Sequence, residues 1–152
     1  MSQAETHVRA LNNRAIPQVW KPAAAWCLEH PGEAHPVMLE VLAEGGPESK
    51  RILSLLPQMG LAEAVPAIAA LLDHPIHASS AGNALGLHPD PSALAALVEA
   101  LGQDSSEARS AALLGLRQRG DDSACEAVQG LVEDPDPVVR EAATHTLSQL
   151  GC

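Results

Sequence analysis

The 152-residue chain has room for one ordinary domain or one short repeat array, and too little for two tightly packed independent domains. Hydrophobic residues make up 46% and charged residues 18%, the balance of an ordered chain rather than a disordered or fibrous one. Nine Lys and Arg against 19 Asp and Glu give a formal charge of -10, which opposes nucleic acid and anionic membrane surfaces and would favour a basic partner.

Two Trp, no Phe and no Tyr stand beside 27 Ala and 21 Leu, so strand-favouring residues are scarce and helices must dominate. From the N-terminus, Met1 to Arg14 is polar, with a short helix expected around 5–13 and no apolar leader-like core. A helix over 17–29 carries Trp20 and Trp26. Six residues apart, they point about 120° from each other, so one can enter a core while the other covers an edge as an N-terminal cap. Further helices are expected at 36–44, 48–57, 62–73, 77–87, 91–102, 106–118, 121–133 and 137–149. Asp90 before Pro91 and Asp136 before Pro137 each pair an N-cap with proline at the first helical position, and Ser105 or Ser106 caps the helix between them. No stretch reaches the roughly 18–20 apolar residues of a membrane span. Cys27, Cys125 and Cys152 are odd in number, far apart and without metal-ligand spacing. They read as reduced thiols, and a cytoplasmic setting is expected.

These helices repeat about every 31 residues. Ser106 to Leu116 is answered by Pro137 to Leu147, with Arg109 mapping to Arg140, Ala112 to Ala143 and Leu116 to Leu147. Gly120 and Gly151 share the shift, and Gly60 stands about two units before Gly120. A weaker copy runs from Ala78 to Leu87. The partner helices also recur, as Val65 to Asp73, Leu94 to Gln103 and Ala124 to Glu133, each with one apolar stripe. A helix pair of this size cannot bury its stripe alone, whereas stacked pairs share a continuous core.

The segment Asp134-Pro135-Asp136-Pro137-Val138-Val139-Arg140-Glu141-Ala142-Ala143, echoed by Asp104 and Arg109, resembles HEAT repeats of the phycobilin-lyase-like subtype. The resemblance implies an all-α, right-handed α-solenoid of about four to five antiparallel helix pairs. It covers one domain over 1–152, with 46–152 as the clearer repeats and 1–45 as a degenerate N-terminal capping repeat. It also implies a structural ladder of Asp104, Arg109, Asp134 and Arg140, in which Arg bridges a carboxylate and turn carbonyls of adjacent repeats.

Catalytic chemistry finds little support. No Ser, Cys or Thr lies in a nucleophile motif, and no glycine-rich phosphate loop is present, so no catalytic residue, cofactor or metal is assigned. His30 with His35, and His74 with His77, flank proline-containing turns and would need to converge to hold a metal. No His is followed directly by Glu, the pairing through which some HEAT-like hydroxylases hold iron.

In a solenoid of this kind the second helices line the concave face. Their outward residues are Glu40, Glu44, Glu63, Asp73, Glu99, Gln103, Glu126 and Glu133, and no Lys or Arg occurs from Ile52 to Ala108. The expected function is a non-enzymatic protein-binding scaffold or adaptor whose acidic groove takes a basic protein or peptide. The alternatives are a phycobilin-lyase-like or other enzyme-associated HEAT protein, or a toxin-neutralising inhibitor. The last helix, from Pro137, lacks a second helix to pair with, which would leave Val138, Val139, Ala142 and Leu150 for a cap or a partner.

Overall fold

The structure, a computed structural model, describes residues 1–12 and 14–152. It contains helices α1 (Gln3–Arg9), α2 (Pro17–Glu29), α3 (Pro31–Ala43), α4 (Ser49–Met59), α5 (Ala64–Ala69), α6 (Ala78–Leu87), α7 (Pro91–Ala100), α8 (Ser106–Arg119), α9 (Cys125–Gln129) and α10 (Pro137–Leu150). A 3-10 turn at Asp122–Ala124 leads into α9, and no strand occurs among the described residues. The correspondence with the sequence is partial at four helices: α1 spans Gln3–Arg9 rather than 5–13, of which residue 13 lies outside the described residues. The third helix begins at Pro31 rather than near 36, because proline at the first helical position needs no partner for its missing N–H, and Pro36 is absorbed five residues later. Both α5 and α9 are shorter than their apolar periodicity predicts and end in further turns.

Helix α2 packs on α3, α6 on both α5 and α7, α7 on α8, and α10 follows against α8 and α9. Helices α4, α6, α8 and α10 pack side by side as one layer, and α3, α5 and α7 pack in turn as the other. The N-terminal helix α1 lies against both α2 and α3, burying Val8 and Leu11 and closing the end of the array. One core runs through the stack, filled by Leu11, Met38, Ile52, Leu56, Ile68, Leu85, Leu97 and Leu113. Neither tryptophan is fully buried: Cys27 and Ala23 take the core positions of α2.

The caps act where the sequence places them. Asp90 accepts the Ser92 amide at 2.9 Å, Ser105 the Ala108 amide at 3.2 Å, and Asp136 the Val138 amide at 2.8 Å. Gly60, Gly120 and Gly151 end α4, α8 and α10 in the left-handed conformation that favours glycine.

Helices α6 and α8 make the closest contact of the layer. Gly82 faces the Ala111 carbonyl so closely that a Cβ would collide with it, and a Cβ on Gly86 would lie 2.5 Å from the Gly115 carbonyl oxygen. Glycine is needed here because backbone meets backbone.

The thiol expectation is corrected at one pair. Gly151 turns the chain after α10, and α10 packs on α9, so Cys152 meets Cys125 in a disulfide with Cα atoms 5.9 Å apart. Sequence separation of 27 residues concealed this proximity. Cys27 alone stays a free thiol, buried in the core, where desolvation pushes it up to about 11.

Candidate functional site

The turns between repeats are joined by side chains reaching backbone carbonyls. Arg109, in the first turn of α8, donates to the Gln103 and Asp104 carbonyls at 2.9 and 2.8 Å. Its guanidinium also pairs with Asp134 of the following turn, at 2.9 Å from Nε to one carboxylate oxygen and 3.1 Å from the terminal nitrogen to the other. Arg140 repeats the first half of this arrangement, donating to the Asp134 and Pro135 carbonyls at 2.7 and 3.3 Å.

Burial by itself would raise the Asp134 carboxyl. The Asp136 amide and the Arg109 guanidinium outweigh that cost and hold it below the usual Asp range. Three members of the expected ladder therefore act in it, and Asp104 enters differently. Arg140 contacts Asp134 and Pro135 just as Arg109 contacts Gln103 and Asp104, so Asp104 is the counterpart of Pro135 and Gln103 that of Asp134. Asp104 contributes its carbonyl, and its exposed carboxylate faces solvent.

Histidines do the same work in the earlier turns. His77 bonds the Gly45 carbonyl through Nε2 at 3.1 Å, and His88 bonds the Leu61 carbonyl at 3.2 Å. Arg119 donates to the His88 carbonyl at 2.6 Å. His74 Nδ1 accepts the Ile76 and His77 amides at 3.1 and 3.2 Å in the turn before α6, as Asp134 accepts the Asp136 amide in the turn before α10. His30 instead stacks on Trp26, whose other face meets His7 at 4.2 Å between ring centroids. His30 and the His74–His77 pair are thus engaged in separate places, His35 lies within α3, and no group of three His, Cys, Asp or Glu among the described residues could hold a metal. His35 is 5% exposed with its Nε2 unpartnered, and desolvation lowers its proton affinity, aided by His88 and opposed by Glu63.

The eight residues expected on the second-helix face are all exposed: Glu40, Glu44, Glu63, Asp73, Glu99, Gln103, Glu126 and Glu133. They lie on or beside α3, α5, α7 and α9, away from the buried Ala34, Ala64, Ala93 and Ala124, with Glu63 just before α5. Asp73 and Glu133 stand nine residues after Ala64 and Ala124, while Glu40 and Glu99 stand six after Ala34 and Ala93. At about 100° per residue Glu40 and Glu99 take the same place on their helices, about 120° from Ala34 and Ala93, while Asp73 and Glu133 lie in the turns beyond α5 and α9. Helices α3, α5, α7 and α9 and the turns that follow them contain no Lys or Arg. One of the eight is already engaged: Arg9 forms a two-point pair with Glu44 at 2.7 Å, which holds the Glu44 carboxyl below its usual range. The sequence offered no sign of that contact, since the partners are 35 residues apart.

The opposite layer holds the described concavities. A cavity of about 690 Å³ opens between α4 and α6, and shallower ones lie along α10 near Arg140 and His145. Sequence reasoning missed the first, whose polar and cationic residues come from two helices and the Arg14 turn. No described helix is long and apolar enough to cross a membrane.

Comparison with known proteins agrees with this geometry. Residues 94–151 match the family model described as HEAT repeats. Among solved structures, the chain is similar to the complex of CpcE and CpcF of phycocyanin lyase from Nostoc sp. PCC7120, with a TM-score of 0.55 and 22% identity. That similarity covers 99% of this chain and 65% of the other, a likeness of fold. No curated protein matches the sequence. Residues 94–151 thus match HEAT repeats, and helices stacked in two layers with arginine-joined turns give the chain an α-solenoid fold.

Proposed function

We infer that the protein is a non-enzymatic scaffold that holds a basic protein or peptide on the face formed by α3, α5, α7 and α9. The observation that carries this reading is the segregation of charge. All nine Lys and Arg lie outside those helices and their following turns, while Glu40, Glu63, Asp73, Glu99, Glu126 and Glu133 stand exposed on or beside them. Stacked carboxylates without interspersed cations create a continuous negative field, which speeds encounter with a basic surface and is screened by salt over about 8–10 Å. Glu44 contributes little because Arg9 neutralises it. A protein partner is also supported by the fold likeness to a complex of two proteins, CpcE and CpcF.

The test is affinity capture from the source cell's lysate at low and high salt, with the wild type and a Glu63→Gln, Glu99→Gln, Glu126→Gln variant. A basic protein retained at low salt, released at high salt and lost by the variant supports the reading. Retention of the same partner by the variant overturns it.

A further inference from the structure

The cavity between α4 and α6 lies on the layer opposite the acidic residues and has the opposite charge. Arg14, Lys50 and Arg51 line it, three of the chain's nine Lys and Arg, and no acidic residue does. Among the described residues none of the three forms an ion pair; the paired cations are Arg9 and Arg109. Arg51 is held in place, donating to the Leu11 and Asn12 carbonyls, with its guanidinium 4.3 Å from the Trp20 ring centroid. Its position is therefore set before any ligand arrives. Lys50 and Arg14 are exposed and free to close on an anion.

The other lining narrows the ligand. Ser80 and Asn83 follow at helical spacing on the cavity side of α6, half-buried, and neither side chain makes a hydrogen bond among the described residues. A side-chain amide both donates and accepts, which matches a peptide main chain better than a bare oxyanion. Leu53 and Ala84 form an apolar floor and Leu87, 53% exposed, an apolar edge. The volume of about 690 Å³ suits a segment a few residues long. A nucleic acid would bring an extended row of phosphates against a chain of net charge -10, whereas a short segment meets only the local cationic field.

We propose that this cavity binds an acidic peptide segment of a partner protein, carrying carboxylates to Arg14, Lys50 and Arg51 and an apolar side chain to Leu53 and Leu87. The proposal rests on a different layer from the acidic face and stands or falls separately from it.

The probe is a fluorescein-labelled octapeptide of alternating Glu and Leu, followed by fluorescence anisotropy. Its affinity should fall at least about tenfold in the Arg14→Glu, Lys50→Glu variant and measurably in Asn83→Ala, with unchanged denaturation midpoints because all three side chains are partly or fully exposed. It should be unaffected by Glu63→Gln, Glu99→Gln, Glu126→Gln. Equal binding of a peptide with Lys in place of Glu would overturn the proposal. So would unchanged affinity in the charge-reversed variant, or complete displacement by inorganic phosphate, which would mark a simple anion site.

Discussion

Replacing Gly82 with alanine tests whether the α6–α8 contact is as close as the geometry requires. Alanine is the better helix former by about 1 kcal/mol, so in an exposed helix the change would stabilise. At Gly82 the new Cβ would collide with the Ala111 carbonyl, and the next nearest atoms are also Ala111 backbone. That backbone belongs to α8 and cannot rotate aside as a side chain would, so α6 and α8 must separate. Overpacking of this kind costs about 1–3 kcal/mol, and a rigid backbone obstacle belongs at the upper end. After subtracting the propensity gain, Gly82→Ala should destabilise by about 2 kcal/mol, lowering the melting temperature by about 4–8 °C in a chain of this size. Gly32→Ala is the matched control: it lies in the first turn of α3 with nothing within 4 Å of its Cβ, and should be neutral or slightly stabilising. Urea denaturation followed by circular dichroism reads both, with an unchanged m-value showing that the folded core is the same size. A Gly82→Ala protein as stable as the wild type would refute the close approach.

Two further outcomes follow from the buried and bonded groups. Reducing the Cys125–Cys152 disulfide, or changing Cys152→Ser, frees a loop spanning 27 residues and should lower stability by about 3 kcal/mol in denaturant titrations. Equal stability with and without a thiol reductant would show that the two sulfurs are not joined. His35 is disfavoured from taking a proton in its buried site, so the unfolded chain binds that proton at a higher pH than the folded one. Its contribution to stability is therefore complete above the ordinary value of 6.5 and is lost as the pH falls below it. His35→Gln should flatten the stability profile just below that pH, and a profile parallel to that of the wild type would contradict the burial argument.

Local signals were enough for the elements and their repetition. Apolar periodicity, the Asp90-Pro91 and Asp136-Pro137 caps and the glycines at 60, 120 and 151 act over a few residues, so each is legible along the chain. The register between Arg109 and Arg140 likewise followed from a shift of 31 residues, and Arg109–Asp134 was found at the expected rung. The candidate acidic residues are exposed, and for Glu40, Glu99 and Glu126 this follows from the helical periodicity that assigns one face to the core.

Contacts between elements needed the folded chain. Asp104 was placed one residue out of step because the Asp at 104 resembles that at 134 in type, whereas the arginine bonds to carbonyls, which carry no residue identity. His77 and His88 join turns through carbonyls in the same way, so their residue type announced nothing. Pairing of Cys125 with Cys152, capture of Glu44 by Arg9 and the cationic cavity between α4 and α6 all bring together residues distant in sequence. Sequence by itself determined which helices form and which face of each is apolar, since both depend on neighbours within two turns. The stacking of those helices decided which charges remain free and which backbones touch, because these depend on distances that exist only once the layers are packed.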